Sequence, residues 1–406
     1  MHTRFLKAVA IASATLLPLA WQGNAHAEEI KSIRIGAVAP KTGPLAGGAA
    51  MTQWPNIRLW VDQTNKAGGI MLKSVGKRVP VELIEYDDRT NNEDTVKAIE
   101  RLATQDKADF IIAPYATAAN LAAAPVFAKY GYPQLAVNSV TDRGPELGKR
   151  WPNSFWLLGG GSGMGKDLVV MLKKMQGEGK VGNVVAVSFV ADGFGLDMAN
   201  GTRKALKDAG FKVVYDKSYP LGTQDLSPVI NEVKALNPDV FLAFSYPPDT
   251  FGLTEQARIA GFNPKVFHTG VGTPFPDYRD RFGSATVEGV MGTGGWDPST
   301  PRMQAYIEAH KALNGKEPDG WASSVTYASL EMLTQAIERV GSLDRKAVVK
   351  ELQTGSFDTV LGPFQFKDNV RQQPWAVGQW QNGVFRGVAP HDKTGAVDPV
   401  AKQAWK

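Results

Sequence analysis

The chain has no cysteine among its 406 residues, which excludes disulfides, thiol nucleophiles and thiolate metal sites together. Histidine is nearly as scarce: beyond residue 27 only His268, His310 and His391 remain, none in metal-ligand spacing. No G-x-S-x-G elbow is present. The obvious carboxylate pair is Asp87-Asp88, but adjacent residues of an extended strand point to opposite faces and cannot share acid/base work. An enzyme is therefore not expected, nor a metal or other cofactor. Acids and bases are interspersed without a block of one sign, so no electrostatic stripe for nucleic acid exists. No uncharged apolar run reaches the roughly 20 residues of a membrane span.

What is present begins with an export signature. Arg4 and Lys7 form a positive start, Ala8 to Trp21 is apolar, and Ala25-His26-Ala27 predicts signal-peptide cleavage before Glu28. The expected location is the periplasm. Removing residues 1–27 lowers the net charge from +5 to +3 and leaves 379 residues, enough for two hydrophobic cores. The stretch L-G-G-G-S-G-M-G-K-D-L-V (Leu158–Val169) places Gly160, Gly165 and Lys166 at P-loop spacing. However, Asp167 stands where a Mg²⁺-binding hydroxyl is needed, and an exported protein meets no ATP pool. The glycines are better read as a chain crossing that needs permissive backbone angles.

Apolar, β-branched runs alternate with amphipathic stretches, the order of βαβ units. Strands are predicted over 32–38, 79–86, 110–113 and 134–137, with helices over 54–66, 94–104 and 121–130. A second set follows, with strands over 184–189, 212–215, 240–244 and 266–268. Its helices fall over 167–175, 196–209, 226–236 and 254–259. Longer helices are predicted over 303–313, 323–340 and 345–352, then short strands near 364–366 and 375–380. The reading is two doubly wound α/β lobes joined by three crossings near 156–160, 292–296 and 360–363. Lobe I takes residues 28–156 and 296–360; lobe II takes 157–295 and 361–406.

Several segments then carry a resemblance. I-G-A-V-A-P-K-T-G-P-L-A (Ile35–Ala46), N-K-A-G-G-I (Asn65–Ile70), V-E-L-I-E-Y-D-D (Val81–Asp88) and A-A-A-P-V-F-A-K-Y-G-Y-P (Ala122–Pro133) lie in the first half. D-G-F-G-L-D-M-A (Asp192–Ala199), Q-A-R-I-A-G-F (Gln256–Phe262) and D-T-V-L-G-P-F-Q-F (Asp358–Phe366) follow in order. The chain resembles the periplasmic solute-binding proteins of ABC importers of the branched-chain amino-acid, leucine-binding-protein-like type. The resemblance implies the type I periplasmic-binding-protein fold, whose two lobes close on a small-molecule ligand. It also implies delivery to an inner-membrane ABC permease with its ATPase, and a monomer. A ligand-sensing receptor component of the same fold is the alternative, less favoured because the chain ends at Lys406 soon after the second lobe.

The family's carboxylate shelf falls on Y-A-T-A-A-N (Tyr115–Asn120) and V-N-S-V-T-D (Val137–Asp142). By the resemblance, Thr117 and Thr141 supply hydroxyls, Ser139 its backbone, and Tyr115 lies beside them. Phe194 and Tyr246 fall where aromatic rings stack on the ligand, Thr269 precedes the G-V-G turn, and Trp296 lies at a crossing near the cleft. The acids that meet a ligand ammonium are missing: 157–165 contains none, and Thr269 stands where one is usual. Burying an unpaired ammonium is costly. Gly48 stands where the family often has an aromatic residue, which opens space. An amine-free carboxylate larger than leucine, and aromatic, is the expected ligand.

Overall fold

Ile33–Val38 reads I-R-I-G-A-V and is buried at all but one position, as a central parallel strand covered on both faces must be. In the computed structural model it lies between Val81–Tyr86 and Phe110–Ile112, parallel to both, with Ile35 level with Leu83 and Phe110. The structure describes Met1 and residues 30–405. Apart from Met1, the export signal over 1–27 lies outside the described residues. Gln134–Ala136 and Ser154–Trp156 continue as a second parallel pair. The other lobe has one seven-stranded sheet, in the order Lys212–Tyr219, Val184–Val190, Val240–Phe244, Val266–Thr269, Met291–Thr293, Val377–Gln381, Val384–Ala389. Its first five strands are parallel and its last two antiparallel.

The third crossing differs from the sequence reading. Phe366–Lys367 pairs antiparallel with Val370–Arg371, and Val370 lies beside Trp156 of the first lobe. Pairing with the second lobe's sheet resumes only at Val377. A two-residue strand has too little periodicity to be legible, so the sequence boundary at 360 falls before this hairpin.

The glycine run also has a different cause from the one expected. Only Gly159, at φ +84, needs a left-handed backbone; Gly161, Gly163 and Gly165 lie in the helix Gly161–Gly177. That helix packs directly on Gly193–Asp208. A Cβ on Gly161 would fall on the Asp197 carbonyl, one on Gly165 would lie 2.6 Å from the Thr202 nitrogen, and one on Gly201 would fall on Gly161. The glycines are small so that two backbones can touch. No phosphate seat is left at this helix start, because Asp142 occupies it: Ser162 N and Oγ donate to its carboxylate at 2.8–3.1 Å.

Gly201→Ala is expected to destabilise the protein by about 1–3 kcal/mol in urea melts. Gly163→Ala, in the same helix pair with open space around it, should be neutral or stabilise by up to about 1 kcal/mol. Equal effects would refute the contact argument.

Candidate functional site

Parallel sheets present their ligand sites at the carboxyl ends of the strands, where the following helices begin. Thr117–Tyr130 begins there in the first lobe and Gly193–Asp208 in the second, and the two starts approach each other: a Cβ on Gly193 would lie 3.4 Å from Thr117 Cγ2. Each unpaired helix start exposes N–H groups and a positive dipole end. Most starts around the cleft are already answered by a carboxylate. Asp192 accepts from Gly195 N at 2.9 Å. Asp319 accepts from the backbone N–H of Trp321, Ala322 and Ser323 at 2.6–3.0 Å. Asp249 accepts from Tyr246 N at 3.3 Å.

The start at Thr117 is the exception. Its N-cap is Ala116, with φ +75 and ψ 155 and no side-chain cap. A non-glycine residue in that region is strained and has to be held by its surroundings. Asn120, fully buried, does this: its Nδ2 donates to Pro114 O at 2.6 Å and Ala116 O at 2.9 Å. Gln134 Nε2 fixes Asn120 from below, donating to Asn120 O at 2.8 Å.

The interlobe cavity at this start is lined by Tyr115, Thr117, Asn138, Val140, Leu158, Phe194, Tyr246, Val271, Trp321 and Ala322. None of these side chains is charged. With the lobes shut it retains about 20 Å³, room for roughly one water. Tyr115 also borders a second cavity of about 240 Å³, which reaches Asp88 and Asn91 in one lobe and Asp192 and Leu221 in the other. The ring of Tyr115 is thus a partition between the two spaces. It stands over Gly48, where a Cβ would fall on the Tyr115 hydroxyl. The space expected from Gly48 is therefore filled by an aromatic ring from another segment.

The sequence-predicted residues divide. Tyr115, Thr117, Phe194 and Tyr246 line the cavity; Phe194 and Tyr246 pack with centroids 5.3 Å apart. The Thr117 hydroxyl donates to Val140 O at 3.2 Å and accepts from Val140 N at 3.1 Å, tying the two shelf loops together. Ser139, between the lining residues Asn138 and Val140, is buried, and its Oγ has no partner among the described residues. Thr141 is not in the lining; its hydroxyl accepts from Arg143 N at 3.2 Å and lies near the Asp197 carboxylate of the other lobe. Thr269 is also outside, its Oγ1 paired with Thr273 Oγ1 at 2.6 Å, while Val271, two residues later, reaches the wall. Trp296 sits elsewhere: its Nε1 donates to Phe385 O at 2.8 Å, and it borders a separate cavity of about 740 Å³ near Trp375.

Sequence reasoning missed Asn138, Leu158, Val271 and Trp321. It also missed Asp192, whose Oδ2 accepts from Tyr246 Oη at 2.9 Å and whose acidity burial weakens. Asp192 was visible as an N-cap before a glycine start, a signal that points to capping rather than to the cleft.

Comparisons with known proteins place this arrangement in context. A model of the periplasmic binding protein family matches residues 32–384. The chain is 25% identical to Leu/Ile/Val-binding protein homolog 8 of Brucella suis, over 96% of this chain and 97% of that one. Among solved structures, a leucine binding protein from Thermotoga maritima superposes with a TM-score of 0.73 at 24% identity, covering 89% of this chain and 100% of the other. A solute binding protein of an ABC transporter from Rhodopseudomonas palustris, in complex with 3,4-dihydroxy benzoic acid, gives 0.75 at 18%, covering 92% and 99%. The fold is that of the type I periplasmic binding proteins, two α/β lobes as the sequence implied.

Two measurements test this geometry. In Gly48→Ala the new methyl has to displace the Tyr115 ring, so the substitution should cost about 1–3 kcal/mol in urea melts. Combined with Tyr115→Ala it should cost clearly less than the sum of the two, and strict additivity would refute the contact. Burial pushes Asp88 and Asp249 each up to about 6 from an ordinary 3.8. Because the folded value is the higher one, stability is fullest below pH 3.8 and is lost as pH rises through 6. Asp249→Asn should shrink that loss; an unchanged slope would refute the assignment.

Proposed function

This chain belongs to the periplasmic binding protein family, and from that premise we propose that it is the solute-binding component of an ABC importer for a carboxylate ligand without an amine. The observation that carries this reading is the pairing of an uncapped helix start at Thr117 with a cavity wall that holds aromatic rings and no charge. An anion is stabilised by the free N–H groups and the dipole at such a start. An ammonium in the same cavity would have no carboxylate in the wall to meet it. The rings of Tyr115, Phe194, Tyr246 and Trp321 supply flat apolar surface suited to an aromatic body. The complex of the Rhodopseudomonas palustris relative with 3,4-dihydroxy benzoic acid agrees with that ligand class.

In this reading Tyr115, Thr117, Ser139, Phe194 and Tyr246 form the ligand site, and Thr141 acts from outside it as a tie between the lobes. Ligand entry requires the lobes to part, since the closed cavity is smaller than any aromatic acid. Binding then shifts the population toward the closed form. Export after cleavage at Ala27, a monomeric state, binding without catalysis, and handover to a permease with its ATPase complete the proposal. The family's periplasmic character supports the first of these.

A second reading, a branched-chain amino acid, is favoured by Asp192. Its carboxylate is one hydrogen bond behind Tyr246 and would reach an ammonium if that hydroxyl turned away. The relatives' names agree with this ligand class.

A thermal-shift screen of residues 28–406 separates the two. Benzoate and related acids are expected to stabilise the protein, by about 2.7 kcal/mol at a hundred times Kd, and Thr117→Val should weaken their binding by about 1–2 kcal/mol. Stabilisation by leucine or valine alone, abolished in Asp192→Asn, would overturn the first reading in favour of the second.

A further inference from the structure

Most polar side chains on the cavity wall are already bonded within the chain. Thr117 exchanges bonds with Val140. Asn138 Nδ2 donates to Gln53 Oε1 at 3.2 Å and its Oδ1 accepts from Thr52 Oγ1 at 3.3 Å. Tyr246 Oη donates to Asp192. Trp321 is different: 3% exposed, with an indole N–H that finds no acceptor among the described residues. An indole N–H can only donate, and a buried donor left unpaired is costly. Where such a group belongs to a residue lining a cavity, as Trp321 does, an acceptor from outside the chain can answer it.

The ring is not free to look elsewhere. Its backbone N–H is fixed to Asp319 Oδ2 at 3.0 Å, at the start of the helix Ala322–Val340. Its face lies on Gly294, at φ +89, where a Cβ would overlap the ring. Gly294 belongs to the second crossing, directly after Met291–Thr293, so Trp321 is clamped between the first lobe's helix and the connecting chain. A donor held this firmly is preorganised for a ligand atom.

We propose that the Trp321 indole N–H is a specificity contact of the cleft, and that the ligand carries a second oxygen acceptor, a hydroxyl or carbonyl remote from its carboxylate. The inference rests on the aromatic-acid reading above and deepens it. The carboxylate takes the helix start at Thr117, and the second oxygen accepts from Trp321. A ligand without that oxygen closes the lobes over an unanswered donor and binds more weakly.

The test is calorimetric titration of benzoate and its 3-hydroxy, 4-hydroxy and 3,4-dihydroxy derivatives into the wild-type protein and Trp321→Phe. At least one hydroxylated acid should bind the wild type about tenfold more tightly than benzoate. Trp321→Phe should erase that preference, weakening the preferred hydroxylated acid by about tenfold more than it weakens benzoate. Equal weakening of all four acids, or no effect on any, would show that the ring only packs. Failure of every acid to bind the wild type would overturn the functional reading and this inference together. Indole N–H signals of the wild-type protein give a readout that does not depend on the variant's folding. One should move downfield with the preferred acid and stay put with benzoate. The Trp156 N–H, equally unpartnered but buried in the first lobe's core, should move with neither. A Trp321 signal unmoved by a bound hydroxylated acid would also overturn the inference.

Discussion

The site depends on one strained turn. Ala116 is held at positive φ so that the helix Thr117–Tyr130 starts bare at the cleft, while other helix starts around it are closed by Asp192, Asp319 and Asp249. Asn120 and Gln134 supply the restraint from the buried side: Asn120 bonds the Pro114 and Ala116 carbonyls, and Gln134 bonds the Asn120 carbonyl. Strain of this kind costs about 1–3 kcal/mol and persists only where surrounding bonds determine it. In the proposed reading, the result is an anion seat that requires no arginine or lysine.

Around that seat the lobes are held shut by reciprocal contacts at the first crossing. Asp142 of the first lobe caps the helix Gly161–Gly177 through Ser162, and Asp197 of the second lies near Thr141. The close packing of the helices carrying Gly161 and Gly201 sets the Asp197 backbone against Gly161, beside the crossing. Close helix packing and lobe closure are thus parts of one arrangement. In the proposed reading, Thr141 serves between the lobes rather than on the ligand, the role that the resemblance gave it.

At the cavity wall, a side chain from one segment fills the space left by another. Gly48 removes a side chain from one loop and Tyr115 fills the same volume from another, 67 positions along the chain. The wall stays aromatic, but its ring now separates the inner cavity from the outer one that reaches Asp192. A ligand that turns this ring gains room on the side where the cleft is acidic. In the proposed reading, the choice between an aromatic acid and an amino acid lies in the conformation of Tyr115 and the bond between Tyr246 and Asp192.

Much of the architecture was legible in the residues. The alternation of apolar strands with amphipathic helices gave the two α/β lobes, the helix Trp54–Lys66 at its bounds, and the strand Val240–Phe244 likewise, because period and capping are local properties. Four of the eight expected site residues line the cavity, through segments whose order resembles a known family. What only the tertiary structure decided are contacts between distant segments: Tyr115 over Gly48, Asp142 on Ser162, Trp321 on Gly294, and the withdrawal of Thr269 and Trp296 into other packing. No local pattern encodes them, since each depends on how closely two backbones approach after the sheets and helices have formed.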